Sequence, residues 1–215
     1  VAGESATGRQ SEVAEPAGGG LAAAQLLASC CPADALATLV PLGRRGLLSG
    51  LITALGLKGR PEHCSTLIPL LKHDDPEVAQ AAEESLWRIW LRSGSRWGNA
   101  QLAYALELIG EQRLGEAQQV LDRLVGLEPE FAEAHHQRGI VLFLLGRLGE
   151  ARVAFGRALE CNPLHFSAAA NLGHVYAQCG QLRLALEAYR QALSLHPRLD
   201  GLADVVLRLE EVLAR

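Results

Sequence analysis

The side chains that could do chemistry in this chain are its histidines, cysteines and paired acids, and their spacing assembles no familiar reaction centre. Seven histidines are scattered along the sequence. The one adjacent pair, His135 and His136, would diverge by about 100° around a helix, so the two rings cannot converge on one ion. The five cysteines, Cys30, Cys31, Cys64, Cys161 and Cys179, contain no C-x-x-C pair and no metal-ligand spacing. Cys161 ends one expected helix and Cys179 ends the next, and successive helices run antiparallel, so the two lie at opposite ends of the stack, ~20 Å apart at 1.5 Å per residue, which is beyond disulfide reach. Reduced thiols filling small core positions are therefore expected, and these favour the cytoplasm. The acidic pairs Asp74-Asp75, Glu83-Glu84 and Glu210-Glu211 read as helix caps and solvated faces. A glycine-rich phosphate loop, a G-x-S-x-G elbow and an H-E-x-x-H pair are all missing. The sequence thus predicts no catalysis, no cofactor and no bound metal.

Composition narrows the partners. With 215 residues, 49% of them hydrophobic, the chain can bury a sizeable core. A formal charge of -4 and a pI near 6.0 give no electrostatic reason to hold nucleic acid or an anionic membrane. Lys58 and Lys72 are the only lysines, a bias that we attribute to coding. No apolar run reaches the ~18 residues that a bilayer span requires. The chain opens on Val1 and contains no methionine, which predicts a processed or trimmed product with sequence upstream. Leu27-Ala28-Ser29-Cys30 has the form of a lipoprotein processing site. The apolar stretch before it is short, broken by Gln25, and preceded by Glu12 and Glu15 where positive charge is needed, so a helix is the better reading.

If chemistry is absent, function has to come from a surface, and the surface is set by a repeat. Pro129, Pro163 and Pro197 fall 34 residues apart, and the residues before them repeat in step. Small residues recur as Ala117, Ala151 and Ala185; four positions later stand Leu121, Phe155 and Tyr189; a third column is Ala105, Gly139 and Gly173. Each unit divides into two apolar-periodic segments of roughly 14 residues around Gln112, Gly146 or Gly180, the pattern of paired antiparallel helices. The prolines stand where each second helix must stop. One such hairpin cannot bury its own apolar face, so the units must stack as an all-α solenoid.

In period and in the stretch Leu172-Gly173-His174-Val175-Tyr176, which has the form L-G-x-x-Y, residues 98–199 resemble tetratricopeptide repeats. The family's usual Trp is replaced by Gln101, His135 and Ala169. The resemblance implies a concave groove lined by the first helix of each unit. On those positions stand Leu102, Leu106 and Ile109 in the first repeat, His136, Gln137, Ile140 and Phe143 in the second, and Asn171, His174 and Gln178 in the third. It further implies a protein or peptide as partner. The Lys and Arg that family members use to clamp a C-terminal carboxylate are missing from these positions. Nucleic acid is disfavoured as well, because all nine arginines of residues 98–199 fall elsewhere.

The rest of the chain frames the repeats. Residues 1–20, with the run Gly18-Gly19-Gly20, are expected to be a disordered tail. Residues 21–95 read as helices broken at 41–46 and 59–61. Within them, Leu67-Ile68-Pro69-Leu70-Leu71 followed by Asp75-Pro76-Glu77-Val78 looks like a HEAT-type helix pair, with Asp75 as N-cap and Pro76 at the first helical position. Trp87 and Trp90 bracket the junction with Trp97, and two of these three tryptophans are expected to pack between that segment and the first repeat. The repeats would occupy 98–131, 132–165 and 166–199. Residues 200–215 would form an amphipathic helix closing the open end. Two functions fit this layout: a non-catalytic module that binds a partner peptide or helix in the groove, with a monomer favoured, or a rigid spacer or docking domain of a larger enzyme system whose groove is covered by its own N-terminal helices.

Overall fold

The computed structural model describes residues 19–43 and 45–214. The tail expected over 1–20 therefore lies outside the described residues, except for Gly19 and Gly20, which open the first helix. Among the described residues every regular element is helical, and none of the helices is long and apolar enough to cross a membrane.

Three helix pairs repeat one geometry. They are α6 (Arg96–Gly110) with α7 (Leu114–Leu127), α8 (Ala132–Leu144) with α9 (Leu148–Cys161), and α10 (Phe166–Gln178) with α11 (Leu182–Leu195). Each first helix ends in the left-handed conformation, at Gln112 (φ 61°), Gly146 (φ 74°) and Gly180 (φ 72°), which turns the chain back within a few residues. Glycine is at ease there, and Gln112 is the strained member of the set. Within a pair the backbones approach where the side chain is small. A Cβ on Gly139 would lie 2.6 Å from the Phe155 ring, and one on Gly173 would lie 2.5 Å from Tyr189. Successive pairs pack α7 on α8 and α9 on α10, and α12 (Leu202–Leu213) covers α11 with Leu202 and Val206. The recurring Ala, Leu and aromatic columns are what these contacts bury: Ala117, Leu121, Ala151, Phe155, Ala185 and Tyr189 are all inside.

The N-terminal block comprises α1 (Gly19–Cys30), α2 (Ala33–Leu39), α3 (Arg45–Lys58), α4 (Cys64–Leu67) and α5 (Pro76–Trp90), with 3-10 turns at Val40–Leu42, Pro61–His63 and Ile68–Lys72. Proline sets two of the breaks at Pro41 and Pro61, but α3 begins inside the first expected break. Helix α5 starts as its sequence demands: the Asp75 carboxylate accepts from Glu77 N–H at 3.1 Å and Pro76 needs no donor. The block is tied together by polar groups that satisfy carbonyls. Lys58 Nζ donates to Ala28 and Cys31 at the end of α1, at 3.0 and 3.1 Å, and Ser85 Oγ donates to the buried Ile52 carbonyl at 3.1 Å. Of the cysteines expected in the core, only Cys64 is buried, whereas Cys30 and Cys179 are exposed, because the helix ends on which those two stand face solvent.

The block does not pack chiefly on the first pair, as the tryptophan spacing suggested. Trp97 is exposed. Trp87 and Trp90 reach past it to the starts of α8 and α10, with Trp90 stacked on His165 at 4.5 Å between centroids and both rings against Phe166. Phe166 belongs to the N-terminal core, where Leu164, Leu195 and Leu199 also pack. Two polar contacts fasten the far end: His196 with Glu83 at 3.2 Å and Arg198 Nη2 donating to the His73 carbonyl at 2.6 Å. The turns that follow each proline thus form the seat for the block.

Candidate binding groove

This seat divides the concave face. Where α5 lies over the first turns of α8 and α10, the expected groove positions are sealed. His136 is 2% exposed, under Trp87 and against His165. Leu102 is 1% exposed and belongs to the core of the first helix pair with Leu108 and Leu121. Both were expected on the groove wall, and neither can touch a partner in this structure. The reason is local: Leu102 lies on the α6 face turned to α7, and His136 lies in the turn of α8 that the tryptophans cover. Leu106 and Ile109 are half-buried against the same first core.

Further along the helices the face opens. Ile140, Phe143, Leu144, Phe155, Asn171 and His174 line a cavity of about 70 Å³, room for one small aliphatic side chain. Ile140, Phe143 and Asn171 are half-buried, and His174 and Gln178 are exposed. A second depression of about 390 Å³ adjoins at His174, bounded by Ala170, Asp200, Val205 and Arg208. The His174 ring is oriented from within: its Nδ1 meets the Tyr189 hydroxyl at 2.8 Å, leaving Nε2 for the groove. Burial of the inner ring edge lowers its pKa from the usual imidazole value, so the ring is neutral near pH 7. The small cavity is apolar with neutral hydrogen-bonding groups at its margin, and charge stands only at the adjoining depression, on Asp200 and Arg208. Arg208, on α12, is a cation that the groove positions of the helix pairs did not predict.

A buried polar cluster underlies the sealed half, and spacing alone did not reveal it. The Glu133 carboxylate, 0% exposed, accepts three hydrogen bonds, from Gln137 Nε2 at 2.7 Å, His165 Nε2 at 2.8 Å and His136 Nδ1 at 3.2 Å. Burial alone would raise its pKa. Attraction to His136, together with the hydrogen bonds from His136 and His165, instead holds the carboxyl well below the usual range. His165 Nδ1 accepts from Ala168 N–H at 3.3 Å and so caps α10. That bond fixes the proton on Nε2, and burial, then repulsion from His136, lowers the pKa. Glu133 and His136 are three apart on one helix. Their conjunction with His165, 32 residues on, follows from the repeat: His165 begins α10 as Phe131 begins α8, so the 34-residue step could have flagged it.

The donor atoms of Glu133, His136 and His165 lie within 4.8 Å of one another, close enough to suggest an ion. Every one of those atoms already serves a hydrogen bond, and metal on His165 Nε2 would place a proton on Nδ1, against Ala168 N–H. The cluster is therefore a hydrogen-bonded unit. In the N-terminal core, burial pushes the Cys64 thiol up to about 11 against a smaller opposing pull from its hydrogen bond with Trp90, so that thiol is not an activated nucleophile.

Comparison with known proteins agrees with this architecture. Tetratricopeptide repeat models match residues 132–165 and 167–199. A TPR repeat-containing protein of Rhizobium etli is 27% identical over 145 residues, 67% of this chain and 71% of the relative. Among solved structures, the first TPR of Spaghetti, bound to an HSP90 peptide, superposes with a TM-score of 0.54 at 16% identity, over 57% of this chain and 97% of that one. YrrB, described as a TPR protein with an unusual peptide-binding site, gives 0.46 at 23% identity, over 87% of this chain and 88% of that one.

Proposed function

Since residues 132–165 and 167–199 are tetratricopeptide repeats, we propose that the chain is a non-catalytic interaction module that holds a segment of a partner protein in the open half of its concave face. The observation that carries this reading is the cavity at Ile140, Phe143 and Asn171, apolar at its floor and left uncovered by the chain's own helices. An apolar side chain of the partner fills it, and burial there contributes ~25 cal/mol per Å². Gln137, Asn171, His174 and Gln178 meet the partner's polar groups, so affinity depends only weakly on salt. In the domain layout that goes with this reading, residues 98–131 act as a further repeat, 21–95 as a helical cover and 200–215 as the end cap.

The spacer reading draws on the sealing of Leu102 and His136 by neighbouring helices. The cover stops short of α8 and α10's later turns, which favours binding. The test is a capture experiment that identifies a partner segment, followed by titration of that segment against Phe143→Ala and Asn171→Ala. A loss of about tenfold or more in each, with the fold intact, is expected. Wild-type affinity in both would leave the spacer reading.

A further inference from the structure

Arginines that the groove lacks gather on another face. Residues of α7, α8, α9 and α10 enclose a depression of about 440 Å³ that shares no residue with the groove cavity or with the depression beside it. Arg138, Arg152 and Arg157 line it, against one acid, Glu160. Its remaining wall is largely apolar, with Val125 and Leu172 half-buried and Val153 63% exposed. Over Gly156 there is open space, since a Cβ there would meet no atom within 4 Å.

Much of that positive charge is uncommitted. Arg152 is exposed and enters no ion pair among the described residues. Arg138 gives Nε to Asp122 at 2.5 Å, and its two terminal nitrogens have no acceptor among the described residues. Arg157 holds Glu160 at 3.0 Å and Glu130 at 2.6 Å, and those carboxylates are 67% and 79% exposed. Exposed pairs contribute little, so an incoming anion displaces Glu160 at small cost. The positive field reaches inward to His135, whose Nε2–H donates to the Pro129 carbonyl at 2.9 Å. Burial lowers the pKa of that ring, and the Arg157 and Arg138 guanidiniums add to the shift against the pull of the hydrogen bond.

We propose that this depression is a second docking site, which holds a glutamate or aspartate side chain of a partner segment with an apolar residue beside it. Guanidinium forks match a planar carboxylate. The Tyr176 hydroxyl, half-buried on α10 and without a hydrogen bond among the described residues, adds a donor, and Val125, Val153 and Leu172 receive the apolar neighbour. A carboxylate fits better than a phosphate, because phosphate sites draw on bare backbone N–H groups at helix starts. Here the lining residues stand within helices, and His135, the nearest to a start, gives its N–H to the Phe131 carbonyl at 3.3 Å. Three arginines in one depression also give no extended track for a nucleic-acid backbone. The site lies apart from the groove, so it holds or fails independently of the groove reading.

Nitrogen-15 NMR of the full chain tests it, with a short blocked peptide in which leucine stands between two glutamates as the probe. The same peptide with glutamines in place of the glutamates, inorganic phosphate and poly-uridylate are the comparisons. The acidic peptide should move backbone signals over residues 152–157 and 172–176, and its glutamine form should not. Arg152→Gln should weaken binding by about threefold or more, and Glu160→Gln should tighten it by removing the competing carboxylate. Arg183→Gln, exposed on α11, should leave it unchanged. Signals that move only elsewhere or not at all, equal binding of the glutamine peptide, a Glu160→Gln variant that binds no better, or the same loss in Arg183→Gln as in Arg152→Gln would each overturn the proposal. So would phosphate or poly-uridylate moving the same signals at lower concentration than the peptide, which would make the depression a phosphate site.

Discussion

Single residues in this molecule are fixed by where they fall along a helix, and His165 is the clearest case. It caps α10 through Nδ1, donates to Glu133 through Nε2, and stacks on Trp90. Those roles require the neutral ring, so its folded pKa lies below that of the unfolded chain, as burial also lowers those of His135 and His174. The unfolded state then binds more protons as pH falls, and stability is present above about pH 6.5 and lost below it. Glu133, also lowered, adds a second loss only below its unfolded value of about 4.3. Thermal unfolding should therefore move to lower temperature between about pH 7.5 and 5.5, with a slope of up to ~1.4 kcal/mol per pH unit for each proton difference. His165→Gln, which does not titrate, should flatten that slope. A melting point that holds or rises on acidification would contradict the assignment. None of this was legible from residue types alone, since a glutamate and two histidines spread over residues 133–165 look like surface groups until the helices are stacked.

At the scale of elements, most of the pattern was legible. The 34-residue step located each helix of the two matched repeats, since small residues at fixed spacing force the same crossing every time. Gly173 illustrates the constraint, with the Tyr189 ring where a Cβ would stand. Gly173→Leu should cost ~1 to 3 kcal/mol by overpacking, read as a lower midpoint in denaturant. An unchanged midpoint would mean that the α10 and α11 crossing is drawn wrongly. The N-terminal elements were harder to read. Their helices are short, 3-10 turns interrupt them at Pro41 and Pro61, and the tryptophans' destination depends on contacts far apart in sequence. Spacing along α5 showed that Trp87 and Trp90 share a face, and nothing in that spacing said which repeat the face would meet.

For the whole molecule, the division of the concave face matters most. Leu102 and His136 were expected on the groove for the same reason as Ile140 and Asn171, their helical phase. What separates them is tertiary: Leu102 is taken into the core of the first helix pair, while the N-terminal block rests on the turns after each proline and closes the face over His136. The far half stays open around one small cavity and a neighbouring depression bounded by Arg208. The central claim is that a partner segment lies in that far half. Hydrogen exchange of the full chain, measured with and without a captured partner segment, tests it most directly. Slowed exchange in residues 140–145 and 171–180, with 99–104 and 131–136 unchanged, is the predicted result. Slowed exchange confined to surfaces outside the concave face, with 140–145 and 171–180 unaffected, would contradict it.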